Sequence, residues 1–379
     1  MPLQFDDAVV GAGIIGLAHA YHLSKAGRRV IVFERSPKAV GASIRNFGML
    51  WPIGQPAGEM HRMAMRSREV WLEVLQAASI WHERSGSLHL AYREDEAQVL
   101  REFANTAETG PACYLLDRPG VLARSHAVKP DGLVAGLWSP METCVDPREV
   151  IASLPGWLER AYGVKFVFDC AVTAYNAPYL TARGEQWHAD RLFVCAGDDI
   201  QTLYPHVLRA AGFVRCKLQM MRSQPYGDSR RLGPMLAGGL TLRHYTAFKR
   251  CPSLPVLQRR VATETPIFDK YGIHVMASQN GNGEIVIGDS HEYDSKIEPF
   301  DRQEIDDLIL QYLHTFLDAP GIRIASHWNG VYLKHPVHSY FIAKPDTCTT
   351  IVTGVGGAGM TLSFGLAEQV VNEALDSSA

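Results

Sequence analysis

The sequence predicts an α/β fold in which a nucleotide-holding region is interrupted by a second, strand-rich α+β region. Three observations predict it. Residues 7–34 read as strand, glycine turn, helix, strand and acid; residues 349–375 repeat strand, glycine turn and helix; the stretch between carries short alternating strands and a hairpin. At 379 residues the chain exceeds the usual size of one core, so two regions are expected, discontinuous along the sequence. The predicted division is 1–84, 143–215 and 325–379 for the nucleotide-holding region, with 85–142 and 216–324 forming the substrate region.

In the first unit, Ala8, Val9 and Val10 form a buried strand, Gly11, Gly13 and Gly16 spell G-x-G-x-x-G, and Leu17, Ala20 and Leu23 give the next helix an apolar face. The glycines serve separate purposes, which are a turn closed to side chains, close approach of backbone to a pyrophosphate, and tight packing of helix on strand. Ile14 and Ile15 open the helix, whose free N–H groups and positive dipole end suit phosphates. Glu34 follows the second strand, Val30 to Phe33, where a carboxylate accepts the hydroxyls of an adenosine ribose and disfavours a 2′-phosphate. The unit is Rossmann-type, and a dinucleotide other than NADP is expected.

Arg35 to Gly48 is a polar, glycine-punctuated loop in which Ser43, Arg45 and Asn46 are placed to hold a diphosphate or a ring attached to it. Gly58 to Ala78 is a helix with Met63, Val70, Trp71 and Val74 at core spacing. A strand over Ser85 to Leu90, a charged helix over Glu94 to Thr106 and a loop through Pro130 lead to a strand over Gly136 to Ser139. Asp146 and Pro147 start a helix that runs to Tyr162. Val164 to Phe168 and Ala171 to Thr173 are edge strands; Asp190 to Gly197 is a buried strand whose Ala196-Gly197 end lets backbone pass close to a dinucleotide.

Beyond Gly212 the texture changes. Tyr271 to Met276, the turn Asn280 to Gly283 and Glu284 to Ile287 form a β-hairpin. Phe300 to Phe316 is an amphipathic helix with Ile305, Leu308, Ile309 and Leu313 inward and its acids on a solvated face. Thr349 to Thr353, Gly354 to Gly359 and Thr361 to Leu375 are the final strand, turn and helix. A second helix dipole suits an electron-accepting ring whose reduced form is negative, which points to a flavin dinucleotide and away from NAD.

A net charge of -3 with 20% charged residues describes an ordinary globular protein, and no nucleic-acid partner is expected. The seven cysteines are odd in number and never form C-x-x-C, so they read as reduced thiols of a cytoplasmic protein without a metal centre. No apolar run approaches the ~18 residues of a membrane span, and none is expected.

With these pieces in order, the sequence resembles the D-amino acid oxidase-like family of FAD oxidoreductases, which includes glycine oxidase and sarcosine oxidase. The anchors are Gly11 to Gly16 with Glu34, the Ser43 to Gly48 loop, Cys195-Ala-Gly197, the Ile273 to Gly288 hairpin, Trp328-Asn-Gly330 and the Gly354 to Ser363 turn. The resemblance implies FAD, with Gly11, Gly13, Ile14, Ile15 and Gly16 at the pyrophosphate, Glu34 and Arg35 at the adenosine, and Val172 at the adenine. Gly356, Gly357, Ala358, Gly359, Met360 and Thr361 would take the pyrimidine edge of the flavin, and Ser43, Arg45, Asn46, Phe47, Gly48, Ala196, Gly197 and Gly330 complete the cofactor set.

There are two departures from the family pattern. The arginine that in many members follows Trp-x-Gly by two residues and clamps the substrate carboxylate is here Tyr332. Residues 326–346 contain no cysteine to tether the flavin, so dissociable FAD is expected, with attachment through a histidine left open. Two strings, RNFGMLWPIGQ at 45–55 and HVMASQNGNGEIVIGDSHEY at 274–293, resemble a branch of the family associated with phosphonate breakdown.

The reaction so implied is oxidation of a small primary or secondary amine, an amino acid or an aminophosphonate such as 2-aminoethylphosphonate or its N-methyl derivative. Hydride passes to flavin N5, water hydrolyses the imine, and oxygen or an unidentified carrier takes the electrons. Tyr332, His274, His244 and His335 are the candidates for orienting substrate or easing amine deprotonation. Arg243, Lys249, Met276 and Lys334 are candidates for contacting it; a phosphonate dianion needs several donors, which the arginine and the two lysines supply. His274 faces the flavin if its alternation matches that of Met276. A flavin dehydrogenase of a hydroxy acid or polyol phosphate is the alternative enzyme, and a non-catalytic flavin-binding protein the alternative of another class.

Overall fold

The computed structural model describes residues 4–106, 112–226, 231–294 and 296–376. An eight-stranded sheet is centred on Gln4–Val10, which pairs in parallel with Val30–Phe33 on one side and Glu185–Val194 on the other. Lys165–Val167 closes one edge and Val172–Asn176 with Tyr179–Ala182 the other, as the reading of edge strands required. Thr349–Thr353 adds in parallel beside Glu185–Val194. Val30–Phe33 is buried at all four positions because layers cover both faces of the sheet, hence its unbroken apolar run. Asp7, fully buried, pairs with Arg28 and Arg191 at 2.7 Å each and so ties the central strand to its neighbours.

Ile14–Lys25, Glu59–Ala77, Pro147–Tyr162 and Gly359–Asp376 form the helical layer, packed through Leu17, Trp71, Leu154 and Phe364. Three contacts seat the last helix on Glu59–Ala77: Trp71 Nε1 donates to Met360 O at 2.8 Å, Phe364 N donates to Ser67 Oγ at 3.2 Å, and a Cβ at Gly365 would lie 2.5 Å from Met63 O. This close approach fixes where the terminal glycine turn sits.

The second sheet has nine strands, ordered Glu292–Asp294, Val214–Pro225, Glu284–Gly288, Met276–Gln279, Met235–Ala237, Ser87–Ala91, Ala135–Ser139 and Tyr114–Leu116, with Ile324–Lys334 on the far side of Val214–Pro225. Ile324–Lys334, expected with the nucleotide-holding region, therefore hydrogen-bonds into this sheet, from Val214 opposite Lys334 to Ser223 opposite Ile324. Its helix Gln303–Phe316 buries Ile305, Ile309 and Leu313.

Three local readings are corrected. The strand leading into the hairpin is Met276–Gln279 and not Tyr271 to Met276; the chain turns at Gly272, and upstream the two sides are joined by the exchange of backbone hydrogen bonds between His274 and Asp289 and by His291 N donating to Tyr271 O at 2.9 Å. The expected loop through Pro130 contains Tyr114–Leu116 and a helix, Arg118–Arg124, capped by Asp117, which accepts from Gly120 N at 2.9 Å; residues 107–111 of that loop lie outside the described residues. Asp306 is buried, accepting from Gln219 Nε2 and contacting His327 Nδ1 at 2.9 Å each, so the acids of its helix do not all form a solvated face. Among the described residues no helix is long and apolar enough to cross a membrane.

Candidate cofactor cradle and active site

One cavity of about 850 Å³ runs from the first glycine turn to the terminal one and on into the nine-stranded sheet. That volume suits a dinucleotide site with room for a small substrate. At the adenosine end Gly11 has φ +102°, and a Cβ there would lie 2.4 Å from Cys195 O. A Cβ at Gly16 would lie 1.9 Å from Gly11 O, so this glycine serves helix–strand packing and does not line the cavity. Gly13 faces the cavity at the start of Ile14–Lys25 with no side-chain cap, and a Cβ there would meet only Ser43, its Oγ at 3.1 Å. Ile14 N donates to that same Ser43 Oγ at 3.0 Å. Glu34 accepts from Ala12 N and Ser36 N, each at 3.0 Å, while Arg35 pairs with Asp199 at 3.2 Å. Val172, Ala196 and Gly197 line the same end. An open backbone approach beside a helix N-terminus, facing a carboxylate, fits the pyrophosphate and ribose of FAD.

At the other end the Ser43 to Gly48 loop is held rigid by its own side chains. Asn46 Nδ2 donates to Ala42 O and Ser43 O at 3.1 and 3.0 Å, and its Oδ1 accepts from Gly48 N at 2.8 Å. Arg45 donates to Val40 O and Asn329 O at 2.9 Å each, and Ser278 Oγ donates to Phe47 O at 2.7 Å. Arg45, Asn46 and Phe47 line the cavity; Gly48 does not, its φ of +71° bringing its Cβ position within 2.0 Å of Val145 O. Opposite lie Gly356, Gly357, Ala358, Gly359, Met360 and Thr361, with Gly330 and Tyr332 beside them. A Cβ at Gly357 would sit 3.5 Å from the Tyr332 hydroxyl, so that hydroxyl stands against the turn. Thr361 Oγ1 accepts from Trp51 N at 2.9 Å, which ties the turn to the segment after the loop.

The cavity ends in a pocket made by His244, Tyr245, His274, Met276, Asp289 and His291. His274 and Met276 share this wall. The ring of His244 lies 4.0 and 4.3 Å from those of His274 and His291, centroid to centroid. Asp289 Oδ1 lies 3.2 Å from His274 Nε2, and Oδ2 lies 3.7 Å from His291 Nε2. Burial, helped by the neighbouring imidazoles and cations, pushes His244 and His274 well below the usual histidine range. Burial brings His291 down to about 4 and raises the Asp289 carboxyl and the Tyr332 phenol. Asp289 and His291 escaped the sequence reading. The hairpin pairs Met276 with Gly288, so its register carried one step further would put Asp289 opposite Val275; the exchange of backbone hydrogen bonds between Asp289 and His274 comes from a one-residue shift that the sequence does not signal.

Arg243, Lys249 and His335 are corrections, for none of them lines the cavity. Arg243 turns away to pair with Asp269 and donates to Ile273 O at 3.3 Å. Lys249 is exposed on the short turn Thr246–Arg250. His335 Nδ1 accepts from Val337 N and His338 N at 3.2 and 3.0 Å, and its ring stacks on Phe341, so His338 reaches the cavity in its place. Lys334 lines the cavity at an exposed position, over the Tyr293 ring at 4.9 Å.

Dimethylglycine dehydrogenase of Rattus norvegicus is 24% identical over 173 residues, 45% of this chain and 20% of that protein. Glycine oxidase of Bacillus licheniformis is 30% identical over 110 residues, 27% of this chain and 30% of that one. The chain thus spans less than a third of the length of either. An opine oxidase chain of Agrobacterium tumefaciens is 20% identical over 344 residues, 87% of this chain and 82% of that one. Among solved structures, L-proline dehydrogenase from P. horikoshii superposes with a TM-score of 0.79 at 18% identity, covering 100% of this chain and 95% of that one. Glycine oxidase from Bacillus cereus gives 0.79 at 15% identity, covering 99% and 96%. These structures share the fold. The sequence matches the family described as FAD dependent oxidoreductase over residues 6–373, and the chain belongs to that family.

Proposed function

We propose that the protein oxidises the C–N bond of a small primary or secondary amine that carries an acidic tail, with 2-aminoethylphosphonate and its N-methyl derivative as the first substrates to test. The observation that carries this reading is the single cavity joining the two glycine turns and continuing into the pocket. FAD, when bound, supplies the oxidation by accepting hydride from the carbon next to nitrogen, and water then hydrolyses the imine. Gly11, Gly13, Glu34 and the Gly356 to Thr361 turn hold the cofactor; the pinned Ser43 to Gly48 loop and Tyr332 bound the space in which the amine is aligned. Walls that exclude water favour the neutral amine, the form that can be oxidised.

Support for the phosphonate class comes from position. The two strings that carry the narrower resemblance meet in the cavity: 45–55 supplies Arg45, Phe47, Met49 and Trp51, and 274–293 supplies His274, Met276, Asp289, His291 and Tyr293. Lys334, exposed on the cavity lining, is a cation available to an acidic tail.

The test is anaerobic bleaching of the flavin spectrum by glycine, sarcosine, 2-aminoethylphosphonate and its N-methyl form, with glycolate and glycerol 3-phosphate as controls. Bleaching by an aminophosphonate is the expected result. Bleaching by the hydroxy compounds alone would overturn the amine reading, and bleaching by sarcosine alone would remove the phosphonate class. FAD is proposed to be dissociable, so acid precipitation should leave the yellow colour in the supernatant.

A further inference from the structure

We infer that His244, His274, His291 and Asp289 form a binding site for one divalent transition-metal ion, with zinc the first candidate. The ligand atoms of the three histidines all lie within 4.8 Å of one another. Neighbouring ligands on a tetrahedral ion with bonds of ~2.0–2.1 Å stand about 3.3 Å apart. The contacts of Asp289 with His274 and His291, at 3.2 and 3.7 Å, are already near that spacing. The side chains come from two separate segments, the end of the short helix Gly239–Arg243 and the two sides of the hairpin, so their convergence is a product of tertiary packing.

A second observation concerns the hydrogen bonding of the same side chains. Both ring nitrogens of His274 and Asp289 Oδ1 are buried without an aligned hydrogen-bond partner among the described residues. Leaving such atoms unsatisfied is costly, and an ion bound to one His274 nitrogen and to Asp289 Oδ1 satisfies those two atoms. Three imidazoles and one carboxylate are a ligand set that suits zinc, and its borderline softness makes nitrogen with oxygen a good match. The inference departs from the expectation of no metal centre, which rested on cysteine spacing.

All four residues face the cavity, so the ion would put positive charge in a pocket where Tyr332 stands in place of an arginine. By expanding from four to five ligands the ion would there anchor the acidic tail of the substrate. That role rests on the amine reading; the site itself does not.

The test uses the full-length, FAD-loaded protein, stripped with a chelator, titrated with Zn²⁺ and dialysed before elemental analysis. One retained zinc per chain is expected, and Co²⁺ in its place should add an absorption band to the red of the flavin. His274→Ala and His291→Ala should each weaken zinc binding more than ~100-fold, beyond the loss of a supporting partner, with the flavin spectrum unchanged as the measure of folding. Lys249→Ala, on the exposed turn, should retain the metal. Zinc that dialyses away from the wild-type protein, or that a His274→Ala/His291→Ala double variant retains equally well, would overturn the inference. Bleaching in the same samples separates the two proposals: loss of zinc with bleaching intact overturns only this one, and retained zinc without bleaching supports the site while removing the amine reading.

Discussion

The three glycines of the first turn should fail in three different ways when replaced by alanine, and the differences follow from their surroundings. Gly13 has φ -71° and ψ 173°, which alanine adopts freely, and its added methyl would meet only the end of the Ser43 side chain at 3.1 Å. The empty chain should therefore change by less than ~1 kcal/mol, since Gly to Ala at a compatible backbone also restricts the unfolded state. The methyl projects into the cavity, however, where backbone must approach the pyrophosphate. Overpacking of about 2–3 kcal/mol there, at ~1.4 kcal/mol per tenfold, weakens FAD roughly 30- to 150-fold. Gly16→Ala sets its methyl 1.9 Å from a backbone oxygen that cannot move aside, so ~3 kcal/mol or more is lost from folding itself. Gly11→Ala combines a 2.4 Å backbone overlap with φ +102°, for roughly 3–5 kcal/mol. Urea unfolding of FAD-free chains gives the stability arm and FAD fluorescence quenching gives the affinity arm. Wild-type FAD affinity in Gly13→Ala, or a stability loss in it equal to that of Gly16→Ala, would refute the assignment of Gly13 to the pyrophosphate.

Glu34→Gln should weaken FAD about tenfold in the same titration by removing a charged acceptor, and unchanged affinity would count against Glu34 as the ribose ligand. Asp7→Asn leaves Arg28 and Arg191 facing each other across a buried strand and should cost about 3 kcal/mol in urea; a loss below ~1 kcal/mol would mean the pairing contributes little. His19 is fully buried and its pKa is pushed down to about 4 by desolvation, against 6.5 for an exposed imidazole. The unfolded chain therefore takes up a proton below pH 6.5 that the native chain refuses until about pH 4, and stability falls across that window and is flat above it. By pH 5 the loss attributable to His19 should reach about 2 kcal/mol, and His19→Gln should show a shallower decline between pH 7 and 5.

What was legible at the level of sequence was local. The strand before Gly11, the helix after it and the acid at Glu34 are set by periodicity and turn chemistry within some thirty residues, and the structure places them as read. Thr349–Thr353 and the turn behind it were legible for the same reason. The union of the two turns in one cavity was inferred only because a flavin requires two ends. The pocket of His244, His274, Asp289 and His291 was not readable in this way. Arg243 and His244 are neighbours with equal claims, yet the first turns to Asp269 and the second to His274 and His291. That choice is made by the packing of a short helix against the hairpin, which no spacing records. Asp289 and His291 acquire their meaning from strand register, and Asp306 from the amide of Gln219, a residue 87 positions away. Hydrophobic period and glycine placement act over a few residues and survive in the bare sequence. Which polar side chains converge, and which are left buried without partners, is decided by long-range pairing and exists only once the chain has folded.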